Sequence, residues 1–181
     1  AYGLEIIAAV DALGNRTDFV LDTTGRVHGQ WRKRTRADGI VEDLGTLYTL
    51  DDADRVTATV QPDGSRTTVE YDGNGKPVRG CDALGRCTLQ EYNARGELAK
   101  TTHPDGTFET TQYDENGNVL AQTDRGGRTT RMVFDAANRL VETILPDATP
   151  GSDADNPRTR SEYDGFTAGL LDCYVTVNAG G

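Results

Sequence analysis

A regular period in the middle of the chain restricts its fold more than any other feature. Between residues 60 and 146, an aromatic residue followed by Asp or Asn recurs every 21 residues. The four pairs are Tyr71-Asp72, Tyr92-Asn93, Tyr113-Asp114 and Phe134-Asp135. A glycine precedes each aromatic residue by seven positions, at Gly64, Gly85, Gly106 and Gly127. A fixed period of about 20 residues is typical of repeat proteins, in which each unit packs against its neighbours.

The same pattern extends beyond the four clear copies. Leu50 lies 21 residues before Tyr71, Leu21 lies 29 residues before Leu50, and Tyr163 lies 29 residues after Phe134. We call these seven positions (21, 50, 71, 92, 113, 134 and 163) the slots. Each longer spacing carries eight additional residues, which places the expanded repeats at about residues 29–45 and 147–158. The pattern predicts a single array of repeats over residues 1–181.

Each repeat carries two turn sequences. Asp72-Gly-Asn-Gly75, Asp114-Glu-Asn-Gly117 and Asp82-Ala-Leu-Gly85 suit a type I turn closed by a left-handed glycine, as in a hairpin loop with a glycine bulge. Gln61-Pro-Asp-Gly64 and His103-Pro-Asp-Gly106 place proline where its fixed φ suits the turn. The segments between turns are rich in Thr, Val and aromatic residues. The sequence therefore predicts an all-β fold, an antiparallel meander of short β-hairpins in a curved strip, without a helix.

The turn geometry also predicts a register. If Asp72 lies opposite Lys76, Tyr71 faces Pro77. The same count pairs the other slots with apolar residues: Leu21 with Val27, Leu50 with Val56, Tyr92 with Leu98, Tyr113 with Val119, and Phe134 with Leu140. Each cross-strand pair contributes a few tenths to about 1 kcal/mol. Stacked repeats are then expected to line up the aromatic side chains as a continuous buried stripe.

Composition excludes several classes of function. The 181 residues include 19 basic and 29 acidic side chains, for a net charge of -10, which argues against general binding to nucleic acid or anionic membranes. No segment approaches the roughly 18 apolar residues that a membrane span requires. Only 35% of residues are hydrophobic and 21 are glycine, which favours a thin sheet over a thick globular core.

Both ends of the chain resemble interrupted repeats. Asn178-Ala-Gly-Gly181 predicts a hairpin turn, and Gly3-Leu-Glu-Ile6 is similar to the end of another. A meander with two unpaired edges favours association with further strands. We therefore expect a piece of a longer array.

Two of the three cysteines flank one turn. Cys81 and Cys87 surround Asp82 to Gly85, and the predicted register places them directly opposite each other, with Cα atoms about 4.5 Å apart. A disulfide and two free thiols are both compatible with this placement. Cys173 has no evident partner, and three cysteines do not determine the compartment.

The remaining candidate sites have simple structural interpretations. The basic segment Trp31-Arg-Lys-Arg-Thr-Arg36 suits a polyanion or an acidic partner, but a solvated strand face that balances the acidic surroundings is favoured. Gly151-Ser-Asp-Ala-Asp-Asn156 offers carboxylates to calcium without the EF-hand spacing, so a solvated loop is favoured. His28 and His103 lie near no nucleophile motif. The turn aspartates recur at every turn, whereas catalysis needs one site, so we expect no catalytic residue, metal or cofactor.

The pattern resembles the YD repeats of the RHS family, which includes bacterial Rhs toxins, the C component of insecticidal Tc complexes, wall-associated contact-dependent toxins and teneurins. The resemblance depends on Tyr71-Asp-Gly-Asn-Gly75, Tyr113-Asp-Glu-Asn-Gly-Asn-Val119, the Asp82–Arg86 turn and the 21-residue spacing. Leu21 and Leu50 replace Tyr, and Thr167 replaces the fourth-position glycine after Tyr163. The structural repeat residues are Tyr71, Asp72, Gly75, Tyr92, Gly96, Tyr113, Asp114, Gly117, Phe134, Asp135, Tyr163 and Asp164.

The resemblance implies a function outside enzymology. Family members use YD repeats to build a hollow shell, and in the toxins this shell encloses a C-terminal toxic polypeptide. The chain is then expected to be a non-enzymatic wall segment of a secreted bacterial toxin, with other repeats and an enclosed effector as partners. The family's self-cleaving core, rich in Asp-Pro and Gly, has no match here. A second hypothesis is a module that binds carbohydrate or a cell surface through the outer face of the sheet; exposed aromatic residues favour it.

Overall fold

The computed structural model describes residues 5–12, 16–146, 156–163 and 171–177, which form fifteen β-strands. The strands are β1 (Glu5–Val10), β2 (Arg16–Leu21), β3 (Val27–Thr35), β4 (Val41–Leu50), β5 (Val56–Val60), β6 (Arg66–Tyr71), β7 (Pro77–Cys81), β8 (Cys87–Tyr92), β9 (Leu98–Thr102), β10 (Phe108–Tyr113), β11 (Val119–Thr123), β12 (Thr129–Phe134), β13 (Leu140–Ile144), β14 (Arg158–Tyr163) and β15 (Leu171–Val177).

Strand order in the sheet is the same as chain order, from β1 to β15. The described residues contain no helix, so none could span a bilayer. Short turns between successive strands explain this topology, because a tight turn can join only neighbouring antiparallel strands. The prediction of an all-β antiparallel meander is confirmed.

Contacts divide the chain into two compact units. The first unit covers residues 1–88 and holds β1 to β7 with the first two residues of β8. The second unit covers residues 89–181 and holds the remaining strands. The boundary falls inside a strand of the repeat, so the repeat pattern is present in both units.

The register at the slots agrees with the prediction from turn chemistry. Tyr71 pairs with Pro77, and Asp72 donates its backbone N–H to the Lys76 carbonyl at 2.8 Å. The other five predicted pairs are also present: Leu21 with Val27, Leu50 with Val56, Tyr92 with Leu98, Tyr113 with Val119, and Phe134 with Leu140. Tyr163 pairs with Leu171, which lies eight residues later rather than six. We call the seven hairpins that follow these residues the slot hairpins.

Each slot hairpin contains a β-bulge that the sequence analysis did not predict. In the hairpin of β6 and β7, Tyr71 pairs with Pro77 but Glu70 pairs with Arg79, which leaves Val78 as the extra residue. The same register shift precedes every other slot residue. An extra residue bends its strand and increases the local twist. Strand curvature is therefore introduced at one fixed point of each repeat.

The sheet buries few side chains completely. Among the described residues, the buried hydrophobic ones are Leu21, Ala58 and Ala121. The slot residues Tyr71, Tyr92, Tyr113, Phe134 and Tyr163 are half-buried, so they are less buried than the sequence analysis expected. A single layer of sheet explains this difference, because no second layer covers either face in the described units. Cross-strand neighbours supply the contacts that a core supplies elsewhere.

The first expanded repeat lengthens one hairpin. Strands β3 and β4 have 9 and 10 residues, against 5 or 6 in the strands from β5 to β14. Trp31 lies directly opposite Gly45, and its ring occupies the space where side chains at Gly29 and Gly45 would stand. The glycines therefore let the indole lie flat on the sheet. Most of the second expansion lies outside the described residues. The same is true of residues 178–181 and of the start of the predicted turn at residues 3–6.

Candidate functional site

The Asp after each slot closes its turn with its own side chain. In the turn after Tyr71, Asp72 Oδ1 accepts the backbone N–H groups of Asn74 and Lys76, both at 2.9 Å. Gly75 has a φ of 83° and donates its N–H to the Asp72 carbonyl at 3.0 Å. A left-handed φ is favourable for glycine, so the residue types match the turn geometry. This carboxylate is fully used in holding the turn.

The same two hydrogen bonds recur along the chain. Turns that open with Asp or Asn share them: Asp22, Asp51, Asp82, Asn93, Asp114, Asp124 and Asp135. Gly96 and Gly117 have φ values of 81° and 88°, and Asp54 and Asn138 adopt 63° and 59° at the equivalent position. Asp and Asn are the non-glycine residues that tolerate this conformation best. Asp164 lies outside the described residues.

Arginine at the fifth turn position completes an ion pair with the Asp that opens the turn. Arg55 Nε lies 2.8 Å from Asp51 Oδ2, and Arg139 Nε lies 2.7 Å from Asp135 Oδ2. Hydrogen bonds from the backbone and side chain of these arginines lower the pKa of both aspartates. Lowered pKa values keep the carboxylates ionised and hydrogen-bonded, which is the opposite of what a general acid needs.

Three slot tyrosines connect their hairpin to the preceding slot hairpin through the hydroxyl group. Tyr71 donates to the Val56 carbonyl at 3.1 Å, Tyr113 to the Leu98 carbonyl at 3.0 Å, and Tyr163 to the Leu140 carbonyl at 2.9 Å. Each acceptor residue is the one that pairs with the preceding slot. The tyrosine in the motif therefore carries a specific contact between repeats.

An arginine covers the ring of at least two slot tyrosines. The guanidinium carbon of Arg55 lies 4.6 Å from the centre of the Tyr71 ring, and that of Arg139 lies 4.5 Å from the Tyr163 ring. These are the arginines that also pair with Asp51 and Asp135. An Asp–Arg–Tyr column therefore joins two successive slot hairpins. Arginine five residues after the slot, in Leu50 to Arg55 and Phe134 to Arg139, was the sequence signal for it.

The structure joins Cys81 and Cys87 in a disulfide across their turn. Their Cα atoms are 4.0 Å apart, closer than the 4.5 Å expected. Other repeats place Val60 with Arg66, Thr102 with Phe108, and Thr123 with Thr129 at the equivalent positions. The cross-link is therefore confined to one repeat among those described. The side chain of Cys173 lies outside the described part.

The basic segment lies on β3 and carries partly neutralised charge. Arg34 pairs with Glu42 at 2.9 Å, and Arg36 pairs with the same carboxylate at 3.1 Å. An open groove of about 1040 Å³ runs past Gln30, Arg32 and Arg34. Exposed strand arginines with carboxylate partners agree with a solvated strand face, the interpretation favoured from the sequence.

Neither histidine belongs to a catalytic arrangement in the described residues. His28 Nε2 lies 3.2 Å from Asp22 Oδ2, which Arg26 also contacts, and His103 Nε2 lies 3.6 Å from Glu109 Oε1. The described residues contain no group of three or more His, Cys, Asp or Glu side chains that could hold a metal. Residues 151–155 of the calcium candidate lie outside the described part.

The fold and these contacts define a β-sheet repeat scaffold, in which hairpins close their own turns and hold their neighbours through tyrosine. Residues 71–107 and 113–150 match the sequence model of the RHS Repeat family. These two segments therefore carry RHS repeats, as the motif predicted. No curated protein sequence matches it.

Two solved structures share the fold. The crystal structure of TcdB2-TccC3 is 14% identical over 82% of this chain, with a TM-score of 0.57. The structure of TcdB2-TccC3 without its hypervariable C-terminal region is 14% identical over 83% of this chain, also with a TM-score of 0.57. At this identity the similarity concerns the fold. The chain spans 9% of the length of each of these structures.

Proposed function

We propose that this chain is a non-enzymatic wall segment of a β-shell that encloses a toxic effector domain of a secreted bacterial toxin. The tyrosine hydrogen bond between successive slot hairpins carries this proposal. At Tyr71, Tyr113 and Tyr163 it holds a repeat to the previous one at a backbone carbonyl, so opening the wall there breaks both the strand ladder and this side-chain bond.

The similarity to TcdB2-TccC3 supports the same role. One of the two structures lacks a C-terminal region described as hypervariable. A constant wall around a variable passenger suits a scaffold whose own contacts are all structural. The partners of this chain are then further repeats of a longer protein and the enclosed polypeptide, and the protein acts outside the cell that produces it.

The use of the carboxylates supports a non-enzymatic role. Each Asp that opens a described turn accepts two backbone N–H groups, so it is held in the turn rather than directed at a substrate. General acid and base catalysis needs a carboxylate whose pKa lies near the working pH. The pKa values of Asp51 and Asp135 are shifted in the opposite direction.

A carbohydrate-binding module is the second candidate, and Trp31 is the observation that favours it. Its indole lies flat over Gly29 and Gly45 and is half-buried. A flat aromatic ring on a sheet is a suitable surface for a sugar ring. The slot tyrosines favour the wall, because Arg55 and Arg139 cover the rings of Tyr71 and Tyr163.

Limited proteolysis of the full-length protein tests the wall directly. A deletion of residues 93–134 removes 42 residues, two whole repeats, and joins Tyr92 to Asp135 so that the motif stays in register. The intact protein should protect a C-terminal fragment from protease, and the deletion should expose it. The matched control is Trp31→Ala, which should keep the protection.

The opposite pattern would replace this proposal with the second one. In that case the deletion leaves the C-terminal fragment as protected as before, and Trp31→Ala abolishes binding to glycans or cells. Circular dichroism of both variants establishes that the sheet is retained.

A further inference from the structure

The two faces of the sheet differ in chemistry. Successive side chains of a strand point to opposite faces, so residues two apart share a face. We call the face that carries the slot residues the slot face. From β8 to β14, its positions within the second unit are nearly all uncharged and mix polar with apolar side chains. The hydroxyl and amide ones are Gln90, Thr101, Thr111, Gln122, Thr130, Thr143, Thr159 and Ser161, and the apolar ones include Ala99, Leu120, Met132 and Val141.

The opposite face carries nearly all the charged strand residues of the same region. They are Glu91, Lys100, Arg131, Glu142, Arg158, Arg160 and Glu162, whereas Glu109 alone lies on the slot face of these strands. Lys100 pairs with Glu91 at 3.0 Å and Arg160 with Glu142 at 3.0 Å. Both are directly opposed pairs in the ladder.

The regular repeats of the first unit show the same separation. Arg66, Glu70 and Arg79 lie on the opposite face, and Arg79 pairs with Glu70 at 2.9 Å. Thr67 and Val69 lie on the slot face with Tyr71. The separation therefore follows the regular repeats of both units. The first expanded repeat departs from it, because Arg32, Arg34 and Glu42 lie on the slot face there.

A groove of about 550 Å³ in the second unit includes part of this face. Thr111, Gln122 and Thr130 line it, and they form one row across β10, β11 and β12 because Gln122 pairs with both threonines. The charged residues Glu109, Asp124 and Arg128 also line the groove. The slot face is therefore recessed where its hydroxyl and amide groups are aligned.

A face with few charges suits close contact with an arbitrary polypeptide. Fixed charges on it would pair with opposite charges of the passenger at short range and low dielectric. Hydroxyl and amide groups exchange hydrogen bonds with water at little net cost. The charged face is suited to bulk solvent, where paired surface charges maintain solubility.

We propose that the slot face is the inner surface of the wall and contacts the enclosed polypeptide, while the charged face is exposed to the medium. This inference depends on the proposed function, because an inner surface exists only if the protein forms a shell.

Two glutamines provide a matched pair of probes. Gln122 lies on the slot face and Gln112 on the charged face, both are exposed in the described sheet, and they stand on neighbouring strands. Each is replaced by Cys in the full-length protein with Cys173→Ser, under conditions that keep the Cys81–Cys87 disulfide. A bulky polyethylene-glycol maleimide then measures access from outside. In the native protein, we expect the maleimide to label Q112C but not Q122C. After denaturation it should label both.

Each other outcome overturns a defined statement. Labelling of Q122C with protection of Q112C would overturn the assignment of the faces and leave the shell intact. Labelling of both would overturn the shell itself, and protection of both would overturn the exposure of the charged face. Adjacent threonines of β12 repeat the test as T130C on the slot face and T129C on the charged face.

Discussion

The slot hairpins and the hairpins at the second turn of each repeat use similar turns but do different work. We call the latter, with turns at residues 61–64, 82–85, 103–106 and 124–127, the second-turn hairpins. Turn glycines of both kinds have positive φ, as at Gly75 and Gly106. The slot hairpins add a β-bulge, and at least three of their tyrosines donate a hydrogen bond to the preceding slot hairpin. The described second-turn pairs at β5–β6, β9–β10 and β11–β12 keep a plain register.

The difference shows which half of the repeat is under tighter physical constraint. At second turns, the residues that face each other include a Val–Arg pair, a disulfide, a Thr–Phe pair and a Thr–Thr pair. At slots, an apolar or aromatic residue faces an apolar partner in every described case. The slot hairpins carry the recurring contacts between repeats. A second turn adds one such contact, because Arg125 donates to Thr107 Oγ1 next to the preceding second turn at 2.9 Å.

The largest expected effect compares the two ends of strand β10. Tyr113 stands at its slot end and Phe108 at its second-turn end, where Phe108 is 49% exposed. We expect Tyr113→Ala to lower the free energy of unfolding by about 2 to 4 kcal/mol, and Phe108→Ala by about 1 kcal/mol, because the tyrosine also loses its contact between repeats. Urea denaturation of both variants measures the difference. Equal losses would contradict the division of labour.

A smaller effect isolates the tyrosine hydroxyl. Tyr113→Phe removes only the hydrogen bond to the Leu98 carbonyl and should cost about 1 kcal/mol. Phe134→Tyr offers a hydroxyl at a slot that lacks one and should recover part of that amount. Tyr48→Phe, on a residue outside the slots, is the control and should change the unfolding free energy little. A cost at Tyr48 as large as at Tyr113 would remove the special role of the slot.

The smallest expected effect is a dependence on pH that both kinds of hairpin share. At a slot turn, backbone and side-chain hydrogen bonds from Arg139 lower the pKa of Asp135. At a second turn, a hydrogen bond from the Arg128 side chain is the main cause that lowers the pKa of Asp124. A carboxylate with a lowered pKa in the folded state stabilises the protein at pH values above its unfolded pKa of about 3.9. This stabilisation is lost as the pH falls through the folded-state pKa.

The two aspartates can be compared in single variants. Asp135→Asn and Asp124→Asn should each reduce the decrease in unfolding free energy between about pH 5 and pH 2. Urea denaturation at a series of pH values measures this decrease. A slope identical to wild type in both variants would show that these turn carboxylates do not couple to folding. A flattened slope at Asp135 alone would extend the difference between the hairpins to electrostatics.

Turn chemistry made the strand register predictable from sequence. The Asp side chain accepts the backbone N–H groups of the residues two and four positions after it, and the residue three positions after it has a left-handed conformation. This turn fixes how many residues separate facing partners. All six predicted slot pairs depend only on that count. Asp54 and Asn138 extend the same rule to turns without glycine at this position.

The contacts between repeats could not be predicted from the turn sequences. The bond from Tyr113 to Leu98 depends on how two hairpins lie side by side, and no local pattern encodes that distance. The bulges depend on the twist that neighbouring strands impose. The stripe was expected to be buried because apolar side chains suggest a core, whereas one layer of sheet leaves Tyr71 and Tyr113 half-buried. Sequence left the state of Cys81 and Cys87 open, because opposed positions suit both thiols and a disulfide.

The Tyr163 hydrogen bond shows that the repeat accommodates additional residues between two slots. In regular repeats the hydroxyl reaches a carbonyl 15 residues earlier, but Tyr163 reaches Leu140, which lies 23 residues earlier. Leu145 and Pro157 close the intervening loop with a backbone hydrogen bond at 2.8 Å. The additional eight residues are therefore absorbed without displacing the next slot. A repeat array built in this way can accept additional residues between its strands while its joints stay aligned, so the length of a connection can change independently of the scaffold.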